Sequence, residues 1–118
     1  MRKEVVTKNG TVELVCNAAT PYVVKKIFGV DILTALANIE SEETGKKIEV
    51  LEQMAFTMAK QAKMSTREAM DINPDQIIDW LAAFDFDDMT DNIVSVALDL
   101  WMFSGKAQSQ EKNPSDPQ

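Results

Sequence analysis

Residues that favour strands alternate on both sides of an Asn9-Gly10 pair in the N-terminal segment VVTKNGTVELV. This pattern predicts a β-hairpin, because both central residues of a type I′ turn need positive φ and Asn-Gly meets that need. A two-residue loop at this pair places Lys8 opposite Thr11 and Val5 opposite Leu14. An isolated hairpin is marginal in water, so it needs a helix or another sheet to pack against. The face predicted to pack carries Val5, Thr7, Val12 and Leu14.

Apolar residues then recur at helical spacing over most of the chain. The longest run is IEVLEQMAFTMAKQAKM, in which apolar residues repeat every three or four positions and predict an amphipathic helix. Two shorter helices are predicted before it, with apolar positions also every three or four residues. The positions predicted to face inward are Tyr22, Val23, Ile27, Ile32, Leu33, Leu36 and Ile39 in the two short helices, and Ile48, Leu51, Ala55, Met58 and Ala62 in the long one.

Capping residues mark where the helices begin and end. Thr20 before Pro21 is a good N-cap, and Gly29 is placed to end that helix in a left-handed conformation. Further helix starts are predicted at Asp31, at the capping box Ser65–Glu68 and at Asn73-Pro74. The last helix is predicted over residues 88–104, with Gly105 as its terminator.

These elements predict an α+β fold that is mainly α-helical. An N-terminal β-hairpin at about residues 3–17 packs on four or five helices at about residues 20–104, and residues 1–105 form one globular domain. The single cysteine, Cys16, is predicted to be a small buried apolar side chain. The polar, proline-containing segment 106–118 is predicted to be a disordered tail.

Composition narrows the possible functions. A formal net charge of −7 disfavours binding to nucleic acid or to an anionic membrane. No apolar run approaches the roughly 18 residues that a membrane span needs, and the N-terminus shows no secretory signal. The lone cysteine suits a reducing compartment. A helix-turn-helix DNA binder would need a basic recognition helix, and none of the predicted helices is clearly basic.

Candidate chemistry is sparse. The chain has no histidine, which removes the commonest general base and the commonest metal ligand. The acidic segment that starts at Asp85, DFDDMTDNIVSV, departs from a calcium-binding loop at Met89, Thr90 and Val96. It is predicted instead to complement the positive end of a helix dipole. We therefore expect no enzymatic activity, no catalytic residue, no cofactor and no metal site.

Surplus apolar residues point to a partner. The chain has seven methionines, whose flexible thioethers suit surfaces that accept varied partners. The segment LWMF places four large apolar residues in succession, and one helix cannot bury all four against its own core. Trp80 and Phe84 are assigned to the core. The predicted partner contacts are Met54, Met58, Trp101, Met102 and Phe103.

The order of these features resembles the tail assembly chaperones of long-tailed bacteriophages. That family shows a short FG-D-L segment after the first helix, a mid-chain L..MA..MA..A helix and a late WL..FD motif. The resemblance covers about residues 3–104. The matching positions are Phe28, Gly29, Asp31 and Leu33, then Leu51, Met54, Ala55, Met58, Ala59 and Ala62, then Trp80, Leu81, Phe84 and Asp85.

The resemblance implies a non-enzymatic role in the host cytoplasm. Such chaperones coat the helical tape measure protein, keep it soluble, help to recruit tail tube protein subunits and leave before the virion matures. A longer frameshifted form is also common in the family, and Gly105-Lys106 is compatible with such a junction. The second face and the open edges of the hairpin could pair between copies in a homo-oligomer, or the hairpin could simply cover the helices. The alternative function is a small acidic regulator or inhibitor that mimics DNA.

Overall fold

Two strands and six α-helices follow one another in a computed structural model that describes the backbone of residues 1–112 and the side chains of residues 1–103. The strands pair as one antiparallel hairpin, so the predicted α+β class is confirmed. Within residues 1–112, no helix combines the length and apolar character that crossing a bilayer requires. The elements are β1 (Arg2–Thr7), β2 (Gly10–Val15), α1 (Thr20–Phe28), α2 (Ile32–Ala37), a 3₁₀ turn (Ile39–Ser41), α3 (Thr44–Lys63), α4 (Thr66–Met70), α5 (Gln76–Ala82), a π-helical segment (Asp88–Val94) and α6 (Ser95–Lys112).

Helix α3 forms the centre of the fold. Every residue from Met54 to Ala59 is buried, which means that α3 is covered on all sides over this stretch. It contacts β2 and each of the helices α1, α2, α4, α5 and α6. Of the inward positions predicted for this helix, Ala55 and Met58 are buried, and Ile48, Leu51 and Ala62 are half-buried. The core around α3 includes Leu14, Cys16, Val24, Ile32, Ile93, Ala97 and Leu100.

The hairpin pairs in a different register from the predicted one. Val5 lies opposite Val12 and Thr7 opposite Gly10, so Lys8 and Asn9 form the turn. The predicted pairings of Val5 with Leu14 and of Lys8 with Thr11 are wrong. The shift is two residues, and because side chains alternate with a period of two, the packing face is unchanged. On that face Val5, Thr7 and Leu14 are buried and Val12 is half-buried, as predicted.

The turn is held from outside the hairpin by the acidic segment that precedes α6. The Lys8 backbone N–H donates to Asp88 Oδ2 at 3.1 Å, and Lys8 Nζ donates to Asp85 Oδ2 at 3.0 Å. Asn9 Nδ2 donates to the carbonyl oxygen of Ala83. The buried Asp88 also accepts a 2.9 Å bond from Asn92 Nδ2. These bonds fix Lys8 and Asn9, and not Asn9 and Gly10, as the turn residues, which explains the register.

Three predicted helix boundaries are confirmed. Gly29 adopts a left-handed φ of 72°, and its N–H donates to the Lys25 carbonyl oxygen. Asp31 Oδ1 accepts the Thr34 N–H at the start of α2. At the start of α4, Ser65 and Glu68 form the capping box. The hydrogen bond from the Ser65 backbone N–H lowers the pKa of Glu68.

Thr20 does not act as the predicted N-cap. Helix α1 begins at Thr20 itself, and the buried hydroxyl donates to Gln61 Oε1 at 2.8 Å. The same hydroxyl accepts the backbone N–H of Asn17 at 3.0 Å. A buried hydroxyl needs such partners, and a bond across to α3 joins α1 to the central helix instead of capping it.

The last helix differs from its prediction at both ends. It opens with the π-helical segment Asp88–Val94, and α6 then runs from Ser95 to Lys112. The backbone therefore continues through Gly105, the predicted terminator, and residues 106–112 of the predicted tail belong to α6. Residues 113–118, the rest of that tail, lie outside the described residues.

We expect Asp88→Ala to lower the free energy of unfolding by about 1–3 kcal/mol, because it leaves the Lys8 N–H and the Asn92 amide without their acceptor. The neighbouring Asp87→Ala is the matched control. Asp87 is exposed, so its loss should change stability by less than about 0.5 kcal/mol. Urea unfolding followed by circular dichroism measures both values. Equal losses of unfolding free energy in the two variants would contradict the stabilising role of the hydrogen bonds that Asp88 accepts.

Candidate functional site

Two of the predicted partner contacts lie in the core. Met54 and Met58 are each 0% exposed, since α3 is enclosed over this stretch. Neither side chain can touch a partner of the folded chain, so the prediction of Met54 and Met58 as contacts is wrong. The helical period alone did not show this, because it cannot distinguish a helix buried on one face from one buried all round.

The other three predicted contacts lie together near the end of the described side chains, on α6. Leu100 is buried against the core and Trp101 is half-buried. Met102 and Phe103 follow, with 54% and 56% of their surface exposed. The expectation that the core cannot bury all of LWMF is confirmed. That the exposed part meets a partner stays a prediction. Trp101, Met102 and Phe103 are called the α6 apolar site below.

Several exposed apolar side chains were not singled out by the sequence pattern. Tyr22 and Leu33, predicted to face inward, are 73% and 62% exposed, and those two predictions are wrong. The buried side of α1 is instead Thr20, Val23, Val24 and Ile27. These four residues also recur at helical spacing. The pattern was not recognised as the buried side because one of the four, Thr20, is polar. The remaining exposed large apolar residues among those described are Met1, Val6, Ile78 and Phe86.

Trp80 and Phe84, assigned to the core, are half-buried and pack against it. They end a row of aromatic rings that begins at Phe28. Ring centroids are 5.8 Å apart for Phe28 and Phe56, 5.6 Å for Phe56 and Trp80, and 5.4 Å for Trp80 and Phe84. Each pair meets edge to face, which is a favourable arrangement for aromatic rings.

The second face of the hairpin is open to solvent. Val6 on this face is 77% exposed, and Arg2 forms a 2.7 Å ion pair with Glu13. Met1 and Cys16 exchange two backbone hydrogen bonds. Because hydrogen-bonded and non-hydrogen-bonded pairs alternate along antiparallel strands, the pairs Arg2–Val15, Glu4–Glu13 and Val6–Thr11 are of the non-hydrogen-bonded kind. The backbone groups of Arg2, Glu4 and Val6 on β1 thus point away from β2. The hairpin covers the core with one face, and pairing between copies through the other face or the edges stays a prediction.

Acidic side chains and Cys16 form no metal-binding cluster in the part of the chain that the structure describes, since no three of them are placed to hold one ion. The hydrogen bond and charge of Asp85 raise the pKa of Lys8. Burial, with a smaller effect from Glu49, raises the pKa of Glu52 on α3. Cys16 is buried directly after β2, as expected for an apolar role.

The different exposures of Met58 and Met102 predict very different effects on stability when each is replaced by alanine. Met58→Ala should lower the free energy of unfolding by about 2–5 kcal/mol, because it leaves a cavity in the core. Met102→Ala, the matched control at an exposed position, should change it by less than about 0.5 kcal/mol. Urea unfolding measures both. A large loss in Met102→Ala would show that this residue is packed in solution and would remove it from the α6 apolar site.

Glu52→Gln should stabilise the fold at neutral pH and not in acid. Because the pKa of Glu52 is raised in the folded chain, the ionised side chain opposes folding at pH values above that pKa. This cost disappears at pH values below the pKa of Glu52 in the unfolded chain, which is about 4.3. Because the side chain still meets solvent, we expect a gain of a fraction of about 1 kcal/mol at pH 7. The exposed Glu42→Gln controls for the loss of one charge. A gain of equal size near pH 3.5, measured by urea unfolding, would contradict ionisation as its cause.

The α6 apolar site is thus the part of the predicted contact set that the fold leaves accessible, and Met54 and Met58 are excluded from it. The hairpin face around Val6 is a second open surface. Comparisons of the chain with protein-family models, with curated proteins and with solved structures each found no match.

Proposed function

We propose that this chain is a tail assembly chaperone that binds the tape measure protein of a long-tailed bacteriophage. It keeps that protein soluble and helps to recruit tail tube protein subunits while the tail grows. The proposal draws on the resemblance of the motif order over residues 3–104. The observation that carries it is the exposure of Met102 and Phe103, which follow the buried Leu100 and the half-buried Trp101.

The α6 apolar site suits reversible binding to a helical rod. Fully burying a Met or Phe side chain gains about 1.5–3 kcal/mol, and these two are already about half covered. The whole site therefore contributes a few kcal/mol, which corresponds to weak binding by one copy. Contacts of this strength add up through effective concentration where copies are linked in an oligomer, and each can still be released. Weak contacts of this kind fit a chaperone that must leave.

The side chains of the site fit a partner whose sequence changes along its length. Methionine adapts to differently shaped neighbours because its side chain is unbranched and polarisable. Amphipathic helices present apolar side chains at three- and four-residue spacing, and such a stripe can be covered by exposed Met and aromatic residues. The net charge of −7 keeps the resulting complex soluble by mutual repulsion. The site of action on this proposal is the host cytoplasm, before the virion matures.

The acidic regulator is less well supported. A mimic of DNA needs carboxylates free on one face. In the densest acidic stretch, however, Asp88 is buried and Asp85 is paired with Lys8. Both carboxylates hold the hairpin turn, so fewer remain to imitate phosphates.

Coexpression with the tape measure protein of the same phage tests the proposal. The wild-type chain should raise the soluble fraction of that protein several-fold, and Met102→Asp combined with Phe103→Asp should abolish most of the gain. A charge at each position makes burial against an apolar helix costly. Soluble and pelleted tape measure protein are quantified after lysis.

Leu33→Asp is the control, since it places one such charge at another exposed apolar position, on α2. It should leave the soluble fraction as high as the wild-type chain does. If the tape measure protein precipitates equally with and without the wild-type chain, the chaperone function is wrong. If Leu33→Asp is as damaging as the double change, the α6 apolar site is not the contact.

A further inference from the structure

A groove of about 260 Å³ opens between the hairpin, the C-terminal half of α3 and helix α5. Small-molecule sites usually enclose about 300–1,000 Å³ and cover most of their ligand. This groove is smaller and open on one side, so its dimensions suit one large side chain. Its apolar lining is Val12, Ala59, Trp80 and Phe84, and Lys60 and Lys63 stand beside them.

The walls of the groove are already fixed. Trp80 and Phe84 are the last two rings of the aromatic row, held edge to face at 5.4 Å. Lys60 Nζ lies 5.4 Å from the centre of the Phe56 ring, which holds the stem of Lys60 against α3. On the opposite side, the bond from Asn9 to the Ala83 carbonyl oxygen closes the hairpin against the end of α5. A pre-formed groove loses little conformational entropy when it is filled.

The charge beside the groove is opposite to that of the whole molecule. The chain carries −7, but Lys60 and Lys63 form none of the ion pairs found among residues 1–103, which are Arg2–Glu13, Lys8–Asp85 and Lys46–Glu49. At physiological ionic strength, charges act over only about 8 Å. The two lysines, and not the net charge, therefore select the occupant: an apolar side chain with a carboxylate next to it.

This chain itself presents such a side chain. Phe86 is 66% exposed and Asp87 beside it is also exposed. Asp85 and Asp88, on either side of this pair, are hydrogen-bonded to Lys8. Asp87 is therefore the accessible carboxylate of the segment. Ile78 is comparably exposed, but an aromatic ring can extend the edge-to-face row that ends at Trp80 and Phe84.

We propose that two copies of this chain associate by inserting Phe86 of each into the groove of the other, with Asp87 against Lys60 and Lys63. Phe86 lies two residues from Phe84, which lines the groove, so the inserted side chain and the receiving groove are neighbours along the chain. That placement suits a two-fold dimer, in which the same patch serves both subunits. The proposal does not rest on the chaperone function, and a monomeric chain could still be a chaperone.

Sedimentation velocity on the full chain, over a concentration range up to about 1 mM in physiological salt, tests the dimer. The dimer fraction of the wild-type chain should rise as its concentration is raised. Phe86→Ala and the pair Lys60→Glu with Lys63→Glu should each weaken the dimer by about a hundredfold, because a two-fold dimer loses both insertions. Controls of matched chemistry are Ile78→Ala and the pair Lys25→Glu with Lys26→Glu, which change exposed residues elsewhere and should have no effect.

Two further arms separate contact from damage to the fold. Mixing Phe86→Ala with the lysine double variant should give a mixed dimer about tenfold tighter than either variant alone, since one of the two insertions then joins an intact Phe86 to an intact groove. Adding Asp87→Lys to the lysine double variant should restore association, by reversing both charges. Circular dichroism of every variant checks that it is folded.

Several outcomes would overturn the proposal. They are a wild-type chain that stays monomeric throughout, a dimer that survives both sets of changes, and a mixture that associates no more tightly than either variant alone. A synthetic peptide of residues 83–89, AFDFDDM, adds one more. If it leaves the Trp80 indole signal of the Phe86→Ala variant unchanged in NMR spectra, the groove does not accept the Phe86 segment.

Discussion

Complete burial of α3 between Met54 and Ala59 is the constraint on which the other elements depend. A helix covered on every side needs neighbours all round, and the hairpin and the five other helices each cover part of α3. The hairpin supplies one wall through Leu14 and Val5, and the last helix supplies another through Ile93, Ala97 and Leu100. The lone hairpin is thereby explained: it is stable because α3 gives it an apolar face to pack on.

The same constraint decides which apolar residues reach the surface. Met54 and Met58 are used to fill the space around α3, where an unbranched side chain adapts to irregular gaps. Among the polar groups inside this space, Thr57, Thr20 and Gln61 are hydrogen-bonded, whereas the buried Gln53 Oε1 has no partner among the described residues. Thr57 donates to the Gln53 carbonyl oxygen, and Gln61 accepts from Thr20. The apolar surplus left outside is therefore smaller than the sequence suggests, and it lies near the end of the described side chains on α6, on the hairpin face, at Phe86 and at Tyr22, Leu33 and Ile78.

Local chemistry could be predicted from the sequence, and long-range contacts could not. Gly29, Asp31 and the Ser65–Glu68 box were recognisable because each acts on backbone groups within four residues. The hairpin register failed because it depends on Asp88, eighty residues away. The packing face still came out right, since a shift of two residues preserves it. For the site, exposure of the α6 end followed from four large residues in a row, whereas burial of Met54 and Met58 depends on how many elements surround α3.

The acidic segment before α6 shows why a charge run cannot be interpreted from its composition. Its carboxylates have different environments: Asp88 is buried beneath the hairpin turn, Asp85 is paired with Lys8, and Asp87 remains in solvent. Asn9 of the turn and Ala83 at the end of α5, which are joined by a hydrogen bond, both line the groove beside Lys60. A segment that fails as a calcium loop thus still holds the turn that forms part of the surface next to it. The charge that it leaves free is of the sign that the groove attracts, so one short stretch contributes both to the internal packing and to the surface through which two copies can meet.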